Sequence, residues 1–332
     1  MNRRAADFAF HDLHPETGDF LEEVVAGLAR PRKSIPSKYF YDARGSELFE
    51  AICRTPEYYV TRTETALMKE KSAAIARRLG SRCALIEYGC GSGRKTRLLI
   101  EAVRPVAYVP IDIARDQLQA TASVFARAFP KLAVVAVCAD YSRPLTLPEL
   151  DGLDAARRVA YFPGSTIGNL GAAEAVAFLG GARDLVGPGG GMLVGVDLKK
   201  DAARLNAAYN DRQGVTAAFN LNLIERLNRE LGADFDVAAF RHQAFYNEPL
   251  GRVEMHLVSL KPQRVTIGGR AIAIGAGETI HTENSHKYSV QEFQALSRSA
   301  GFRPAQCWVD AEALFALHYL SVPDRSRRAV AR

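Results

Sequence analysis

The chain has 332 residues, of which 48% are hydrophobic and 24% are charged, a composition typical of a globular protein with a sizeable core. No apolar run approaches the roughly 18 residues that a membrane-spanning helix needs, so we expect no membrane segment. The formal net charge of +6 comes from six arginines within the first four and the last eight residues; without them, 37 basic residues face 37 acidic ones. Because the chain without its terminal arginines is formally neutral, the charge pattern argues against a groove that binds nucleic acid.

The cysteines are typical of reduced thiols. They are odd in number and lack C-x-x-C spacing, which fits neither a disulfide framework nor a zinc site. The five positions are Cys53, Cys83, Cys90, Cys138 and Cys307. The N-terminal segment begins with basic residues but has no continuous apolar stretch of the kind found in secretory signals. We therefore expect a cytoplasmic location and no nucleic-acid or membrane partner, and we expect a monomer.

In chain order, the first clear element is a helix that starts at Thr61, where TRTE offers a capping box with Glu64, and that ends at Gly80. Short β-rich strands then alternate with helical segments. The predicted strands are 83–88, 106–112, 132–140, 158–162 and 192–198, and the predicted helices are 95–103, 114–129 and 172–186. This alternation predicts an α/β fold with a parallel, doubly wound sheet.

The pattern changes after Asp201. A long helical stretch over 201–231 is followed by four β-rich segments, at 252–260, 263–269, 271–275 and 278–288. Consecutive β segments predict antiparallel pairing, which does not extend a parallel sheet. A helix at 290–299 and two last strands then return to the first domain. We expect a sheet domain over 61–200 and 287–322, and an inserted α+β domain over 13–60 and 201–286.

A glycine-rich loop, LIEYGCGSGRKT, occupies residues 85–96. A phosphate loop needs a lysine directly after its last glycine, but Arg94 intervenes. A dinucleotide fingerprint needs its third glycine at the position of Arg94. The pattern that fits is an acid followed by alternating glycines: Glu87, Gly89, Gly91 and Gly93. It resembles the first motif of Rossmann-like class I S-adenosylmethionine methyltransferases, and these four residues are therefore candidates for cofactor binding.

Two acids at the ends of successive predicted strands support this interpretation. Asp112 ends the second strand, where a carboxylate can accept hydrogen bonds from the ribose hydroxyls. Asp140 and Tyr141 end the third strand and are placed to meet the adenine by hydrogen bonding and stacking. The alternative explanation, that the glycine triplet only turns a strand into a helix, does not account for the acids.

Four further stretches resemble the histidine-specific N-α-methyltransferase family of ergothioneine biosynthesis. They are IPSKYFYDARGSELFEAICRTPEYYVTRTE (35–64), YFPGSTIGNL (161–170), AAYND (207–211) and HTENSHKYS (281–289). The resemblance covers about residues 20–322. It implies a methyltransferase domain with an inserted substrate-binding domain, and it implies three methyl transfers from S-adenosylmethionine to the α-amino group of L-histidine. The product is trimethylhistidine, also called hercynine.

The resemblance also implies roles for individual residues. Contacts to the histidine carboxylate and amine fall on Tyr58, Gly164, Asn169 and Tyr209. Contacts to the imidazole fall on Glu283 and Ser285, with Met255 lining the ring pocket. Tyr41 corresponds to a tyrosine beside the reacting amine, in the catalytic position. The cofactor contacts fall on Gly89, Lys95, Asp112, Asp140 and Tyr141. Tyr59 is the alternative to Tyr58.

These roles make chemical sense on their own. Tyrosine hydroxyls and an asparagine amide are neutral donors for a carboxylate, while Glu283 can accept an imidazole N–H and Ser285 can serve the other ring nitrogen. Each residue also has a structural explanation. That explanation is a solvated strand position for Glu283, a helix cap for Asn169 and core packing for Tyr58. The joint match of these residues in order favours function.

His281 and His286 flank Glu283 and suggest a metal cluster at first sight. On a regular strand His281 and Glu283 share one face while His286 lies on the other, so the three side chains do not converge. Two-histidine sites also need more carboxylate ligands than this segment provides. We expect no metal.

The expected mechanism depends on alignment. The sulfonium methyl group is already activated, so in-line displacement needs positioning more than acid catalysis. The α-amine is mostly protonated near neutral pH and must lose a proton before each transfer. No dedicated base is evident, and Tyr41 or a bound water is the best candidate for passing the proton to solvent.

Three alternatives remain at this point. Some relatives in the family methylate tryptophan-type substrates, but Glu283, Ser285 and Met255 favour an imidazole. An RNA methyltransferase is disfavoured by the neutral body and by the lack of a basic strand. A non-catalytic protein that merely binds the cofactor is disfavoured by the intact glycines and acids of the first motif.

Overall fold

The computed structural model describes residues 8–13, 18–143, 145–148 and 154–324 of the chain. The chain divides into two units. The first, here called the sheet unit, comprises Met1–Pro15, Arg62–Leu198 and Tyr288–Arg332. The second, here called the inserted unit, comprises Glu16–Thr61 and Lys199–Lys287.

The described residues form thirteen strands and ten α-helices. The strands are β1 (Ala9–Asp12), β2 (Cys83–Tyr88), β3 (Ala107–Asp112), β4 (Ala133–Cys138), β5 (Arg157–Phe162), β6 (Gly191–Asp197), β7 (Phe240–Asn247), β8 (Arg252–Ser259), β9 (Gln263–Ile267), β10 (Arg270–Ile274), β11 (Thr279–His286), β12 (Arg303–Val309) and β13 (Phe315–Ser321). The helices are α1 (Gly18–Leu28), α2 (Ala43–Ile52), α3 (Val60–Glu70), α4 (Ser72–Leu79), α5 (Arg94–Val103), α6 (Arg115–Ala128), α7 (Ala172–Val186), α8 (Ala202–Ala208), α9 (Val215–Leu231) and α10 (Val290–Ser299). None of these helices is long and apolar enough to cross a membrane.

The sheet unit is built on eight strands in the order β1-β4-β3-β2-β5-β6-β13-β12. The first six strands run parallel; at one edge β13 pairs antiparallel with β6, and β12 pairs antiparallel with β13. The prediction of a Rossmann-like α/β sheet is confirmed. The strand order reverses between β2 and β5, and ligands of doubly wound sheets bind at the carboxyl ends of the strands beside such a reversal.

Burial explains why these segments form strands and helices. Every residue of β2 and of β6 is buried, as expected for near-continuous apolar strands covered on both faces. Helix α7 buries Ala175, Leu179, Ala182 and Val186, a spacing of four, three and four residues that places one apolar stripe on the sheet. The result is a dry core beneath the strand ends.

The inserted unit contains a three-stranded antiparallel sheet in the order β11-β8-β7 and a separate hairpin of β9 and β10. Helix α9 buries Phe219, Leu223, Ile224 and Leu227 along one stripe and contacts β7 and β8. The antiparallel pairing matches the prediction from the consecutive β segments. Strands β1 and β7 and helices α1 and α2 were not predicted.

The two long helices of the prediction are each interrupted. The segment 61–80 forms α3 and α4, with a break at Lys71 (φ −96°, ψ 9°). The segment 201–231 forms α8 and α9, because Asp211 accepts hydrogen bonds from the N–H groups of Val215 and Thr216 at 2.9 and 2.7 Å. A carboxylate in this position caps a new helix start. Tyr209 therefore lies directly after α8 rather than within a helix.

Candidate active site

The glycine loop after β2 depends on left-handed backbone conformations. Gly89, Gly91 and Gly93 have φ angles of +72°, +45° and +67°, a region that favours glycine. The Gly89 N–H donates to the carbonyl of Ile111 at 2.8 Å, which holds the loop against β3. A Cβ atom on Gly93 would lie 2.5 Å from the Phe125 ring. The loop therefore presents backbone without side chains at these three positions, at the carboxyl edge of the sheet where α5 begins.

Glu87 supports this loop from inside. Its side chain is buried, and its two oxygens accept hydrogen bonds from Thr96 Oγ1 and the Tyr108 hydroxyl, both at 2.5 Å. Burial raises the pKa of Glu87 to about 8, and the neighbouring Asp112 raises it further, against the lowering effect of the two hydrogen bonds and of Lys95. Glu87 thereby links β2 to α5 through Thr96 and to β3 through Tyr108. It stabilises the loop through these two contacts.

Asp112 lies at the end of β3 and is half-buried. One carboxylate oxygen accepts from the Ala114 N–H at 3.0 Å, and the Cys90 thiol lies 3.6 Å from the other. Burial raises the pKa of Asp112, while backbone N–H groups of Ala114 and Gly91 oppose the shift. An ionised carboxylate only accepts hydrogen bonds, so Asp112 offers an acceptor for hydroxyl donors beside the glycine loop.

Asp140 and Tyr141 follow β4 at the same edge. Asp140 Oδ1 accepts from the backbone N–H and the hydroxyl of Ser142 at 2.9 and 2.5 Å. The Tyr141 hydroxyl lies 3.4 Å from where a Cβ on Gly89 would stand, so the structure brings the end of β4 to the glycine loop. The Tyr141 ring packs edge-on against Tyr88 and Phe162 at 5.8 and 6.0 Å between centroids.

A buried acid that the sequence analysis did not assign to the site connects two of its parts. Glu64 is fully buried, and Lys95 Nζ lies 2.5 Å from its Oε2. The Gly164 N–H donates to the same carboxylate at 3.0 Å. The prediction of a capping box is wrong, since α3 already begins at Val60 and the Glu64 carboxylate is used in these contacts. The partners of Glu64 lie 31 and 100 residues away in the chain, so no local sequence pattern predicts them.

The turn after β5 contains Gly164 and Asn169. Gly164 and Ser165 have positive φ angles of +76° and +60°, and the Ser165 hydroxyl accepts from the Asp197 N–H at 2.9 Å. Asn169 is the last residue of a 3₁₀ turn and is half-buried. Helix α7 starts after Gly171, whose N–H donates to Glu174 at 2.7 Å. The helix is capped there, so capping does not explain Asn169.

In the inserted unit, an aromatic cluster brings together three of the predicted tyrosines. Tyr41 packs edge-on against Phe49 and Phe219 at 5.8 and 5.9 Å, Phe49 contacts Tyr58 at 6.4 Å, and Tyr58 contacts Tyr209 at 6.2 Å. Burial raises the pKa of Tyr58 well above its ordinary value, and nearby Tyr209, Cys53, Tyr41 and Glu283 raise it further. Tyr58 is therefore a neutral phenol at physiological pH.

The neighbouring tyrosine has a different environment. Lys200 Nζ donates to the Tyr59 hydroxyl at 2.6 Å and lies 4.6 Å from the centre of its ring. Tyr59 is thus engaged by a lysine, whereas Tyr58 belongs to the aromatic cluster with Tyr41 and Tyr209. This difference favours Tyr58 of the two candidates.

A β-bulge determines which face of β11 each side chain occupies. His281 pairs with His256 and Glu283 pairs with Met255, so Thr282 is the extra residue. The expectation that His281 and Glu283 share a face is wrong, because their partners are consecutive residues of β8. Glu283 and Met255 lie side by side on one face, and Ser285, paired with Val253, lies on that face too.

Ser285 belongs to a buried polar triangle. The Tyr209 hydroxyl donates to Ser285 Oγ at 2.8 Å. Lys287 Nζ donates to Ser285 Oγ at 2.8 Å and to the Tyr209 hydroxyl at 3.0 Å. Lys287 was not among the predicted residues, although it lies within the quoted HTENSHKYS segment. A lysine that is 2% exposed is unusual enough to indicate a specific role.

The opposite face of β11 carries a different cluster. Glu254, His256 and His281 each offer one ligand atom, and these three atoms lie within 4.8 Å of one another. Among the described residues, this is the group whose residue types could hold a metal ion. Arg252 Nε donates to Glu254 at 2.9 Å, and His256 Nε2 lies 3.1 Å from the other carboxylate oxygen. Burial raises the pKa of Glu254, but the hydrogen bonds from Arg252 and His256 outweigh this effect and lower the pKa overall.

Comparisons with known proteins place this geometry in a family. The model of the S-adenosylmethionine-dependent, histidine-specific methyltransferases matches residues 20–322. Histidine N-α-methyltransferase of Mycobacterium tuberculosis is 41% identical, with 89% of this chain and 92% of that protein covered. The protein of the same name from Mycolicibacterium smegmatis is 39% identical, with 95% and 97% covered. Ergothioneine biosynthesis protein 1 of Neurospora crassa is 30% identical over 91% of this chain and 35% of that longer protein. The chain therefore belongs to the family of histidine-specific methyltransferases, and S-adenosylmethionine is its cofactor.

Proposed function

We propose that this protein transfers three methyl groups from S-adenosylmethionine to the α-amino group of L-histidine, forming hercynine as the first step of ergothioneine biosynthesis. The names of the mycobacterial relatives and of the Neurospora protein support this assignment. The observation that carries it is the shared face of β11 and β8, where Glu283, Ser285 and Met255 lie together. A carboxylate, a hydroxyl and a thioether side chain on one face suit a flat ring with two nitrogens.

The sheet unit has the features that S-adenosylmethionine needs. The glycine loop leaves backbone open for the amino-acid part and the ribose of the cofactor, and a Cβ on Gly91 would meet no atom within 4 Å. Asp112 is assigned to the ribose hydroxyls, and Asp140 with Tyr141 to the adenine. Bound in this way, the cofactor supplies an electrophilic methyl group that needs no further activation.

The inserted unit is assigned to the substrate. Glu283 accepts the imidazole N–H, Ser285 serves the second ring nitrogen, and Met255 covers the ring. Tyr58 and Tyr209 are assigned to the amino-acid head group, and the family resemblance assigns the same role to Gly164 and Asn169. For the carboxylate, the Tyr58 hydroxyl and the Asn169 amide are neutral donors.

The protein's own residues must help to remove the protons that the substrate amine loses. The ammonium group of histidine loses one proton before each transfer, and three protons leave by the time nitrogen carries three methyl groups. Tyr41 or a water beside it is assigned to pass each proton to solvent. The growing cation is stabilised by the faces of nearby aromatic rings such as Tyr41 and Tyr58, at about 0.5–2 kcal/mol for each contact.

Purified protein incubated with S-adenosylmethionine and a panel of amino acids tests the proposal by mass spectrometry. The expected result is a trimethylated product from L-histidine and little turnover of tryptophan or phenylalanine. Accumulation of only a monomethylated or dimethylated product would refute trimethylation. Preferential turnover of tryptophan would refute the assignment of histidine as the substrate.

A further inference from the structure

Lys287 is a buried cation in contact with two residues of the proposed substrate site. Its Nζ atom lies 2.8 Å from Ser285 Oγ, 3.0 Å from the Tyr209 hydroxyl and 5.0 Å from the centre of the Tyr209 ring. Tyr209 and Ser285 are themselves hydrogen-bonded at 2.8 Å. The three groups form a closed triangle in which only one member, the ammonium group, cannot accept a hydrogen bond.

Counting donors and acceptors fixes what the triangle presents to a ligand. A serine hydroxyl has one hydrogen and two lone pairs. Ser285 Oγ accepts from Lys287 and, because a phenol is a more acidic donor than an alcohol, from the Tyr209 hydroxyl, so both lone pairs are used. The hydrogen of the Ser285 hydroxyl is then the part left for a ligand. Lys287 therefore holds Ser285 as a donor, although a serine alone serves equally well as donor or acceptor.

The neighbouring acid offers the opposite polarity. Glu283 lies on the same face of β11 as Ser285, and an ionised carboxylate only accepts hydrogen bonds. The face thus presents one fixed acceptor and one fixed donor. A ring that satisfies both has one N–H and one bare nitrogen, which describes a neutral imidazole in a single tautomer. An imidazolium has two N–H groups and would meet the Ser285 hydrogen with one of its own.

We propose that Lys287 is a specificity-determining residue that holds Ser285 as a hydrogen-bond donor and so selects the neutral imidazole ring of the substrate. This inference rests on the proposed function and concerns the ring rather than the methyl transfer. Lys287 acts through Ser285 and is therefore a positioning residue. A ligand that keeps the ring N–H but lacks the bare nitrogen is rejected because it leaves the Ser285 hydrogen unpaired.

The test uses β-(pyrrol-2-yl)-alanine and β-(pyrrol-3-yl)-alanine, which place a single ring N–H at one or the other nitrogen position of histidine, beside L-histidine. The isomer that the wild-type protein methylates faster serves as the pyrrole analogue. Lys287→Met keeps the length of the side chain and removes the cation. The Ser285 hydroxyl regains a free lone pair and can then turn away without losing a partner. We expect the ratio of kcat/KM for histidine to that for the pyrrole analogue to fall about fivefold to tenfold, the effect of one hydrogen bond. The fall should arise mainly from a higher KM for histidine.

Three companion variants separate this role from a structural one. Ser285→Ala should lower the ratio by a similar factor. The double variant, with Lys287→Met and Ser285→Ala together, should lower it no further, because Lys287 acts through Ser285. Tyr209→Phe removes the other donor to Ser285 and should also lower the ratio, while Lys287→Leu, which likewise removes the cation, provides the test if Lys287→Met does not fold. Lys200→Met is the matched control, since Lys200 contacts Tyr59 rather than Ser285, and it should leave the ratio unchanged.

Thermal unfolding and the affinity for S-adenosylmethionine are measured for every variant to confirm folding. An unchanged ratio in Lys287→Met, or in Lys287→Leu if that variant replaces it, would refute the role of Lys287 while leaving the proposed function intact. Additive losses in the double variant would refute it as well. If the wild-type protein does not methylate histidine, the proposed function fails, and this inference fails with it.

Discussion

Lys95 and Glu64 form an ion pair in which Nζ lies 2.5 Å from Oε2 and the glutamate is fully buried. The carboxylate also accepts the Gly164 N–H at 3.0 Å. One acid therefore connects the first turn of α5, which follows the glycine loop, to the turn after β5. These two segments lie on either side of the point where the strand order of the sheet reverses.

Glu64→Gln should destabilise the protein, because it leaves the Lys95 ammonium without its buried counter-charge. Breaking a buried pair in this way costs about 3–5 kcal/mol, reduced here because Lys95 is partly exposed. Urea unfolding gives the loss directly. Glu101→Gln, which breaks the exposed pair of Arg97 and Glu101 on α5, is the control and should stay near wild-type stability. Equal stability of both variants would contradict the role assigned to Glu64.

Asp112→Ala should weaken binding of S-adenosylmethionine by about 1.5–3 kcal/mol, because the ribose hydroxyls lose a charged acceptor. Isothermal titration calorimetry measures the change. Asp116→Ala removes an exposed acid from the first turn of α6 and should leave the affinity near wild type. Unchanged affinity in Asp112→Ala would show that this residue does not bind the ribose.

Asn169→Ala should weaken histidine binding at least tenfold while leaving cofactor affinity nearly intact, because the amide is assigned to the amino-acid head group. The measurement compares calorimetric titrations with S-adenosylmethionine and with histidine. If both ligands lose affinity equally, Asn169 stabilises the turn after β5 and does not contact the substrate.

Glu283→Ala should raise the KM for histidine roughly 10- to 150-fold if the charge-assisted bond to the imidazole contributes about 1.5–3 kcal/mol. Discrimination against tryptophan and phenylalanine should relax, because the pocket becomes larger and less polar. Asn284→Ala is the control, since Asn284 is adjacent on β11 but lies on the opposite face. A Glu283→Ala variant that keeps the wild-type preference would exclude an imidazole contact at this position.

Glu87→Gln should change the pH dependence of stability. Burial raises the pKa of Glu87 from an ordinary 4.5 to about 8 in the folded protein, so the folded state binds this proton more tightly than the unfolded state. The stabilising contribution is fully present below pH 4.5 and is lost as the pH rises through 8. Replacement by glutamine should flatten that decline in the free energy of unfolding between pH 4.5 and 8. If the free energy of unfolding of the variant declines as steeply as that of the wild type, the decline comes from other titrating groups.

Much of the sheet unit was readable from the sequence. The prediction of strand 83–88 and of helices 172–186 and 290–299 matches the observed bounds, because apolar runs and helical periodicity are local properties. The glycine loop was equally readable, since Gly89, Gly91 and Gly93 all adopt backbone angles that favour glycine. The fold class and the cofactor followed from these local patterns together.

The tertiary structure decided how distant residues meet. The single extra residue in β11 moves Glu283 to the face of Met255 and separates it from His281, and a shift of one residue reverses every later side chain on a strand. Likewise, the contacts of Glu64 with Lys95 and of Lys287 with Tyr209 join residues far apart in the chain. The sequence determined which residues are available for the site, because composition and periodicity are properties of the local sequence. Their hydrogen-bond partners depend on register and packing, and these are settled only when the chain folds.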